Sequence, residues 1–106
     1  MPEVLQIIRF RLLAGRSREY LALSARIYEE FLLRRPGFIG REVLQAEDGT
    51  WHEAVRWADP PSSDDADRIW ASHPLAAELG SLLQRGSLDI TRLLSLRYDP
   101  GYEPEG

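Results

Sequence analysis

Four stretches of the chain have the pattern of β-strands. Along Val4 to Leu13 the sequence VLQIIRFRLL sets apolar side chains against arginines at alternate positions, and residues 88–98 alternate in the same way. Alternation of this kind, with β-branched and aromatic residues, is typical of half-buried strands. Apolar-bearing runs at 38–46 and 51–57 predict two further strands.

Two other segments repeat hydrophobic residues at helical spacing. The first, at 17–35, predicts a helix that is capped by Ser17 and ends before Pro36. The second follows the polar loop ADPPSSDD, whose serines are the expected caps. We expect this helix to break or restart near 72–74, because Pro74 removes a backbone donor and disfavours helical geometry at the preceding residue.

The Asp48-Gly49 pair between the two middle strands predicts a tight antiparallel hairpin. The resulting order is strand, helix, strand, strand, helix, strand. This order is typical of the ferredoxin-like split βαββαβ arrangement, an α+β fold whose four-stranded antiparallel sheet carries the helices on one face. The other face is left uncovered, and we expect it to expose Ile39, Val43 and Ala54. A second copy of the chain is the expected cover.

Length and composition fit one globular domain. The chain has 106 residues, of which 43% are hydrophobic and 28% charged. We expect a single domain with its core at about 4–98 and a tail at 99–106. The formal net charge of −4, with arginines scattered among carboxylates, argues against nucleic acid as a partner. All 13 basic residues are arginine and cysteine is absent, which excludes Schiff-base catalysis and a disulfide framework.

Targeting signals are also missing from the sequence. The first residues, MPEVLQIIRF, lack a basic leader followed by a long apolar core. No apolar run is long enough to cross a bilayer. We therefore expect a cytoplasmic protein with no membrane partner.

Short motifs are spread along the predicted elements: Pro36-Gly37-Phe38 at the entry to the second strand, Asp48-Gly49 in the hairpin, Trp57 at the end of the third strand, and Ser72-His73-Pro74-Leu75 in the second helical region. With these motifs the chain, from about Val4 to Tyr98, resembles the antibiotic-biosynthesis-monooxygenase domain family of the dimeric α+β barrel superfamily. The resemblance implies that two sheets pack face to face, and that a pocket lies between each sheet and its helices.

One branch of this family degrades haem, and the match to it is incomplete. That branch uses an asparagine on the first strand, a tryptophan in the second helix and a histidine further along the helix. Trp70 corresponds to the tryptophan, but the asparagine position falls at or near Ile8 and the histidine position at Leu79 or Gly80. Haem would lack its usual imidazole ligand there, so we expect no cofactor.

Another branch oxygenates polycyclic aromatic substrates without metal or flavin, and it resembles this chain on the third strand. Its strand carries an asparagine four residues before a tryptophan that faces the pocket. Trp57 corresponds to the tryptophan, and Glu53 stands at the asparagine position. A carboxylate therefore replaces a neutral amide, so the mechanism of that branch does not transfer unchanged.

Strand parity places Glu53 on one face with Trp51, Val55 and Trp57. Desolvation between two indoles disfavours the charged carboxylate, which makes Glu53 a candidate general base toward an acidic phenol or a carbon next to a carbonyl. An oxygenase without a cofactor needs such a step first, because a carbanion can pass an electron to dioxygen. The alternative is that Glu53 pairs with an arginine of a neighbouring strand or points outward at a sheet edge.

Aromatic side chains supply candidate walls for a flat substrate. Trp57 and Trp70, together with Trp51, could stack against its rings, and packing in the core is the alternative for Trp57 and Trp70. His73 is a candidate proton carrier at the pocket mouth, with a solvated loop position as its alternative. His52 has the opposite parity from the candidate base, which predicts a place in the interface with the second copy.

Other polar residues give weaker signals. The histidines have no partner at metal-ligand spacing, so we expect no metal. The strand arginines could clamp an anionic substrate if any faced inward, and pairing with nearby Glu42 or Glu53 is the alternative. The arginines concerned are Arg9, Arg11, Arg41 and Arg56.

Three functions remain open from the sequence. The leading hypothesis is a homodimeric, cofactor-independent monooxygenase-like protein that oxygenates or binds a small flat aromatic or enolic molecule, with Glu53 as base. The alternatives are a non-catalytic dimeric ligand-binding or accessory protein and an acid–base isomerase. A cavity on the order of 300 Å³ or more beside Glu53 and Trp57 would favour chemistry or binding over a filled core.

Overall fold

A four-stranded antiparallel sheet forms the centre of the structure, a computed structural model that describes residues 2–96. The strands lie in the order β2-β3-β1-β4, and every neighbouring pair is antiparallel. Their bounds are β1 Glu3–Phe10, β2 Phe38–Gln45, β3 Trp51–Trp57 and β4 Asp89–Ser95. The end of the predicted fourth strand at 97–98 and the predicted tail at 99–106 lie outside the described residues.

Three helices complete the fold: α1 Ser17–Glu30, α2 Pro60–Trp70 and α3 Pro74–Gly80. The first helix ends earlier than predicted and is followed by a 3₁₀ turn at Leu32–Arg34, whereas the predicted break before Pro74 is confirmed. This element order and sheet confirm the predicted ferredoxin-like α+β fold. Within residues 2–96, no helix has the length and apolar character needed to cross a membrane.

The caps of α1 and α2 differ from the prediction. Ser17 is already helical, Arg16 takes the cap position, and no side chain closes the first turn of α1. In α2 the cap is Asp59 rather than a serine, and its side chain accepts a hydrogen bond from the Ser62 N–H at 2.9 Å. A carboxylate there is also favoured by the positive end of the helix dipole.

Alternate residues of each strand point to opposite faces of the sheet, and the helices cover only one face. Val4 and Phe10 of β1 are fully buried on the helix side, while Leu5 and Ile7 lie partly exposed on the other. Ala54 lies opposite Ile7 and therefore on the uncovered face, as predicted.

The predicted membership of the uncovered face is wrong for Val43. Cross-strand partners share a face, and Val43 lies opposite Glu53, so it points to the helix side and packs against the core. Ile39 is 48% exposed and lies where the β2–β3 register shifts, between Phe38 and Gly40. Simple alternation does not continue across such a bulge, because one strand carries an extra residue there.

The predicted hairpin at Asp48-Gly49 is confirmed. Gly49 has a φ of +89°, and Asp48 accepts a hydrogen bond from the Thr50 N–H at 2.9 Å. The Thr50 N–H also holds the pKa of Asp48 below its usual value. This tight turn fixes the register of β3 against β2, and with it the position of Glu53.

Gly37 brings the start of β2 against the start of α2. Its φ is +80°, a conformation that residues with a Cβ rarely adopt, and a Cβ at this position would overlap the side chain of Ser62. Its carbonyl also accepts the Ala58 N–H at 2.8 Å. The close approach fixes where α2 begins, and α2 supplies part of the site described below.

We expect Gly37→Ala to lower the free energy of unfolding by about 1–3 kcal/mol more than Gly15→Ala. Both glycines have a positive φ, but a Cβ at Gly15 would meet nothing within 4 Å, so that control measures the backbone strain alone. Urea unfolding of both variants provides the comparison. Equal losses would show that the contact with Ser62 does not constrain α2.

Candidate functional site

A cavity of about 110 Å³ lies between the sheet and its helices. Its wall includes Glu53 and Trp57 of β3 and Trp70 of α2, with apolar side chains of β1 and α1 around them. Leu88 and Ile90 also line it, and since they are 52% and 54% exposed, the cavity opens along β4. The volume is below the threshold of about 300 Å³ that would favour chemistry or binding over a filled core. It is close to that of a cavity which holds one benzene ring, roughly 150 Å³. A larger flat ligand would therefore extend over β4.

Glu53 is buried in the middle of β3, with an exposed fraction of 5%. The Tyr20 hydroxyl donates a hydrogen bond to its Oε2 at 2.6 Å, and Arg41 Nη1 lies 3.9 Å from its Oε1. The structure thus combines the two predicted environments, because the carboxylate is desolvated at the cavity wall and also pairs with an arginine of the neighbouring strand.

Tyr20 reaches Glu53 from α1 and is fully buried. Its ring packs against Phe10 and Trp51, with centroid distances of 5.2 and 5.1 Å. Burial, and next the negative charge of Glu53, raise the pKa of the Tyr20 hydroxyl above its usual value. The hydroxyl therefore stays protonated and acts as a donor to the carboxylate.

Arg41 is the one strand arginine of the predicted set that points beneath the helices. Its side chain is 9% exposed, its Nη2 donates to the Ser24 carbonyl at 3.1 Å, and its guanidinium lies 5.6 Å from the centre of the Tyr28 ring. It stands behind Glu53 and does not line the cavity. The other three pair with carboxylates that do not line the cavity: Arg9 with Asp89, Arg11 with Asp48, and Arg56 with Glu3.

A second chain of hydrogen bonds crosses the cavity wall and was not predicted. The buried Trp57 indole N–H donates to Gln6 Oε1 at 2.7 Å, and Gln6 Nε2 donates to both oxygens of Asp67 at 3.0 and 3.1 Å. The sequence contained one indication of these bonds, the Trp57 indole, because a buried tryptophan N–H needs a hydrogen-bond acceptor. Alternation along β1 could also place Gln6 on the helix side of the sheet. No local sequence pattern indicated that Asp67 of α2 would accept a hydrogen bond from Gln6.

Trp51 and His73 lie outside the cavity lining. The Trp51 ring supports Tyr20 instead. His73 Nδ1 accepts the Leu75 N–H at 3.1 Å and so caps α3, and its ring stacks on Trp70 with centroids 6.0 Å apart. The structure therefore brings together Glu53, Trp57 and Trp70 of the predicted site residues. His52 pairs with Arg9 across the strands on the uncovered face, in agreement with its parity.

Metal-binding groups do not converge in the part of the chain that the structure describes. Within residues 2–96, no three histidine, aspartate or glutamate side chains lie close enough together to hold an ion. The polar side chains that line the cavity are instead two carboxylates, one amide and two indoles.

Solved structures of other proteins share this fold. Two structures of SnoaB, a cofactor-independent oxygenase from Streptomyces nogalater, have TM-scores of 0.76 and 0.73 at 22% identity, covering 94% of this chain and 99% of that one. A candidate antibiotic biosynthesis monooxygenase from Bordetella bronchiseptica has a TM-score of 0.76 at 13% identity, covering 92% and 100%. A protein of unknown function from Nitrosomonas europaea has a TM-score of 0.67 at 16% identity, covering 100% and 98%.

No protein-family model matches the chain, and no curated protein matches its sequence. At such low identities the structural likeness is one of fold, on which different activities can be built. The predicted resemblance to the antibiotic-biosynthesis-monooxygenase domain is confirmed at that level, and the chain is monooxygenase-like in its architecture.

We expect Tyr20→Phe to lower the free energy of unfolding at pH 7 by about 1–3 kcal/mol, because Glu53 would stay buried with one hydrogen bond fewer. Above about pH 10 an unfolded tyrosine gives up its proton, whereas Tyr20 keeps it in the folded chain. The stability of the unmodified protein should therefore fall by about 1.4 kcal/mol per pH unit in that range, and the variant should lack this contribution.

Urea unfolding at pH 7 and at alkaline pH measures both effects. The matched control at pH 7 is Tyr28→Phe, a change on the same helix at a residue that is 37% exposed. Equal losses for the two variants would contradict the role given to the Tyr20 hydroxyl.

Proposed function

We propose that this chain is a cofactor-independent monooxygenase-like protein that oxygenates a small flat aromatic or enolic molecule, with Glu53 as the base. The observation that carries the proposal is a buried carboxylate in the wall of an apolar cavity that two indoles also line. Likeness in fold to a cofactor-independent oxygenase supports the same reading.

The proposed reaction begins with transfer of a proton from an activated C–H group of the substrate to Glu53. The carbanion passes one electron to dioxygen, and the substrate radical and superoxide combine to form a C–O bond. The peroxide takes up a proton. The O–O bond and the second C–H bond of the same carbon then break to release water, which leaves a carbonyl group on the substrate. One dioxygen is consumed, one of its oxygen atoms enters the product, and the other leaves as water.

The surrounding residues have distinct tasks in this proposal. Trp57 and Trp70 hold the flat molecule, and the bond from Gln6 fixes the Trp57 indole. Tyr20 and Arg41 compensate the charge of the base, and Trp51 acts indirectly through its contact with Tyr20. His73 can carry a proton only through Nε2, because Nδ1 is used in the cap of α3.

We further propose a homodimer formed through the uncovered face of the sheet. Leu5 and Ile7 are partly exposed at its centre, and Leu44 and Leu93 are 43% and 47% exposed beside them. The arginines of this face already pair within the same subunit, Arg56 with Glu3 and Arg9 with Asp89, both at 3.2 Å. Two copies could therefore meet without leaving these charges unpaired.

Replacing the base provides the test of the chemistry. We expect Glu53→Gln to abolish dioxygen consumption with a hydroxyanthrone while the subunit count stays the same. The control is Glu29→Gln, an exposed carboxylate on α1, which should keep full activity. Unchanged dioxygen consumption in the Glu53 variant would contradict the proposal. If the unmodified protein exchanges a substrate proton without consuming dioxygen, the result favours an isomerase. If it binds the molecule without turnover, the result favours a non-catalytic ligand-binding protein.

Light scattering tests the dimer. We expect a mass twice that of the 12.1 kDa chain, and a monomer for Ile7→Glu, because two buried carboxylates would face each other near the centre of the interface. Leu21→Glu, at a residue of α1 that is 49% exposed, is the control and should stay dimeric. A monomeric unmodified protein would contradict the proposed interface.

A further inference from the structure

The charged side chains described in the cavity wall are both carboxylates. Among residues 2–96, Glu53 and Asp67 are the only ionisable side chains in its wall. Glu53 belongs to β3 and is buried, whereas Asp67 belongs to α2 and is exposed. A ligand in this cavity therefore meets one carboxylate inside and another where α2 reaches solvent.

Two arginines next to the wall bind groups outside the cavity. Arg41 lies behind Glu53 and donates to the Ser24 carbonyl. Arg92, on the helix side of β4, binds Asp64 at 2.6 Å and the Pro60 carbonyl at 3.2 Å. Neither arginine lines the cavity, and Arg35, which packs on the cavity residue Phe31, is not part of the wall either.

Asp67 is held in place by hydrogen bonds, but its oxygens can accept more of them. Gln6 Nε2 donates to both of its oxygens, at 3.0 and 3.1 Å, and Gln6 is itself fixed by the bond from Trp57. An ionised carboxylate offers about four acceptor positions, so Asp67 can still accept hydrogen bonds from a ligand. Its position therefore depends on the same chain of bonds that orients the Trp57 indole.

We propose that Asp67 determines the specificity of the cavity, which takes a flat molecule with a hydroxyl or amine donor for this carboxylate and excludes molecules that carry a carboxylate. This inference rests on the proposed function, since it names the substrate class of the same site. Both carboxylates disfavour a further negative charge beside them, and neither can donate a hydrogen bond to an anion. An acidic group of the ligand would also lose its hydration without meeting a cation among the described residues of the wall.

The test compares two probes, a neutral hydroxyanthrone and the same molecule bearing one ring carboxylate. Binding is followed through quenching of the indole fluorescence of the unmodified protein and of Asp67→Asn. We expect the neutral probe to bind at least about tenfold more tightly to the unmodified protein, and Asp67→Asn to reduce that ratio about fivefold or more. The control Asp65→Asn changes an exposed carboxylate of the same helix that pairs with Arg68, and it should leave the ratio unchanged.

Three results of the binding experiment would contradict the role of Asp67. Equal or tighter binding of the carboxylated probe, equal ratios for the two variants, or no quenching by either probe up to its solubility limit would overturn it. Dioxygen consumption with the neutral probe is measured separately. It distinguishes a failure of the inference about Asp67 from a failure of the proposed oxygenase function. Selective binding without dioxygen uptake contradicts only the oxygenase, and uptake with equal affinity for both probes contradicts only the role of Asp67.

Discussion

Burial of one carboxylate on the apolar face of the sheet is the constraint on which the rest of this site depends. An unpartnered charge in such a place costs on the order of several kcal/mol. Glu53 is tolerated because the Tyr20 hydroxyl from α1 and the Arg41 guanidinium from β2 both reach it. Three separate elements must therefore be in place before the group is stable, and they leave it in the wall of the cavity rather than sealed away from it.

A second set of polar contacts gives the cavity its other carboxylate. The bonds from Trp57 to Gln6 and from Gln6 to Asp67 connect β3, β1 and α2, so the orientation of an indole in the wall and the position of an acid in α2 depend on one amide. The pairing of the strands is made by the backbone and involves none of these side chains. This separation explains how a fold can persist at very low sequence identity while the polar groups inside it change.

Local patterns were enough to predict most of the fold and part of the site. Alternation along β3 placed Glu53 beneath the helices, and the proline rule located the break before Pro74, since both depend on neighbouring residues only. The partners of these groups depend on contacts distant in the sequence. The Tyr20 hydroxyl of α1, for example, meets a carboxylate 33 positions away. Asp67 and the capping role of His73 were missed for a related reason, because each follows from how a helix packs or begins.

The crystal structure of this chain soaked with a neutral hydroxyanthrone tests the central claim most directly. The account predicts that the rings lie between the sheet and α2, against Trp57 and Trp70, with an acidic C–H or hydroxyl group about 2.6–3.2 Å from a Glu53 oxygen. A molecule bound elsewhere on the protein, with the Glu53 carboxylate enclosed only by its own side-chain partners, would contradict it.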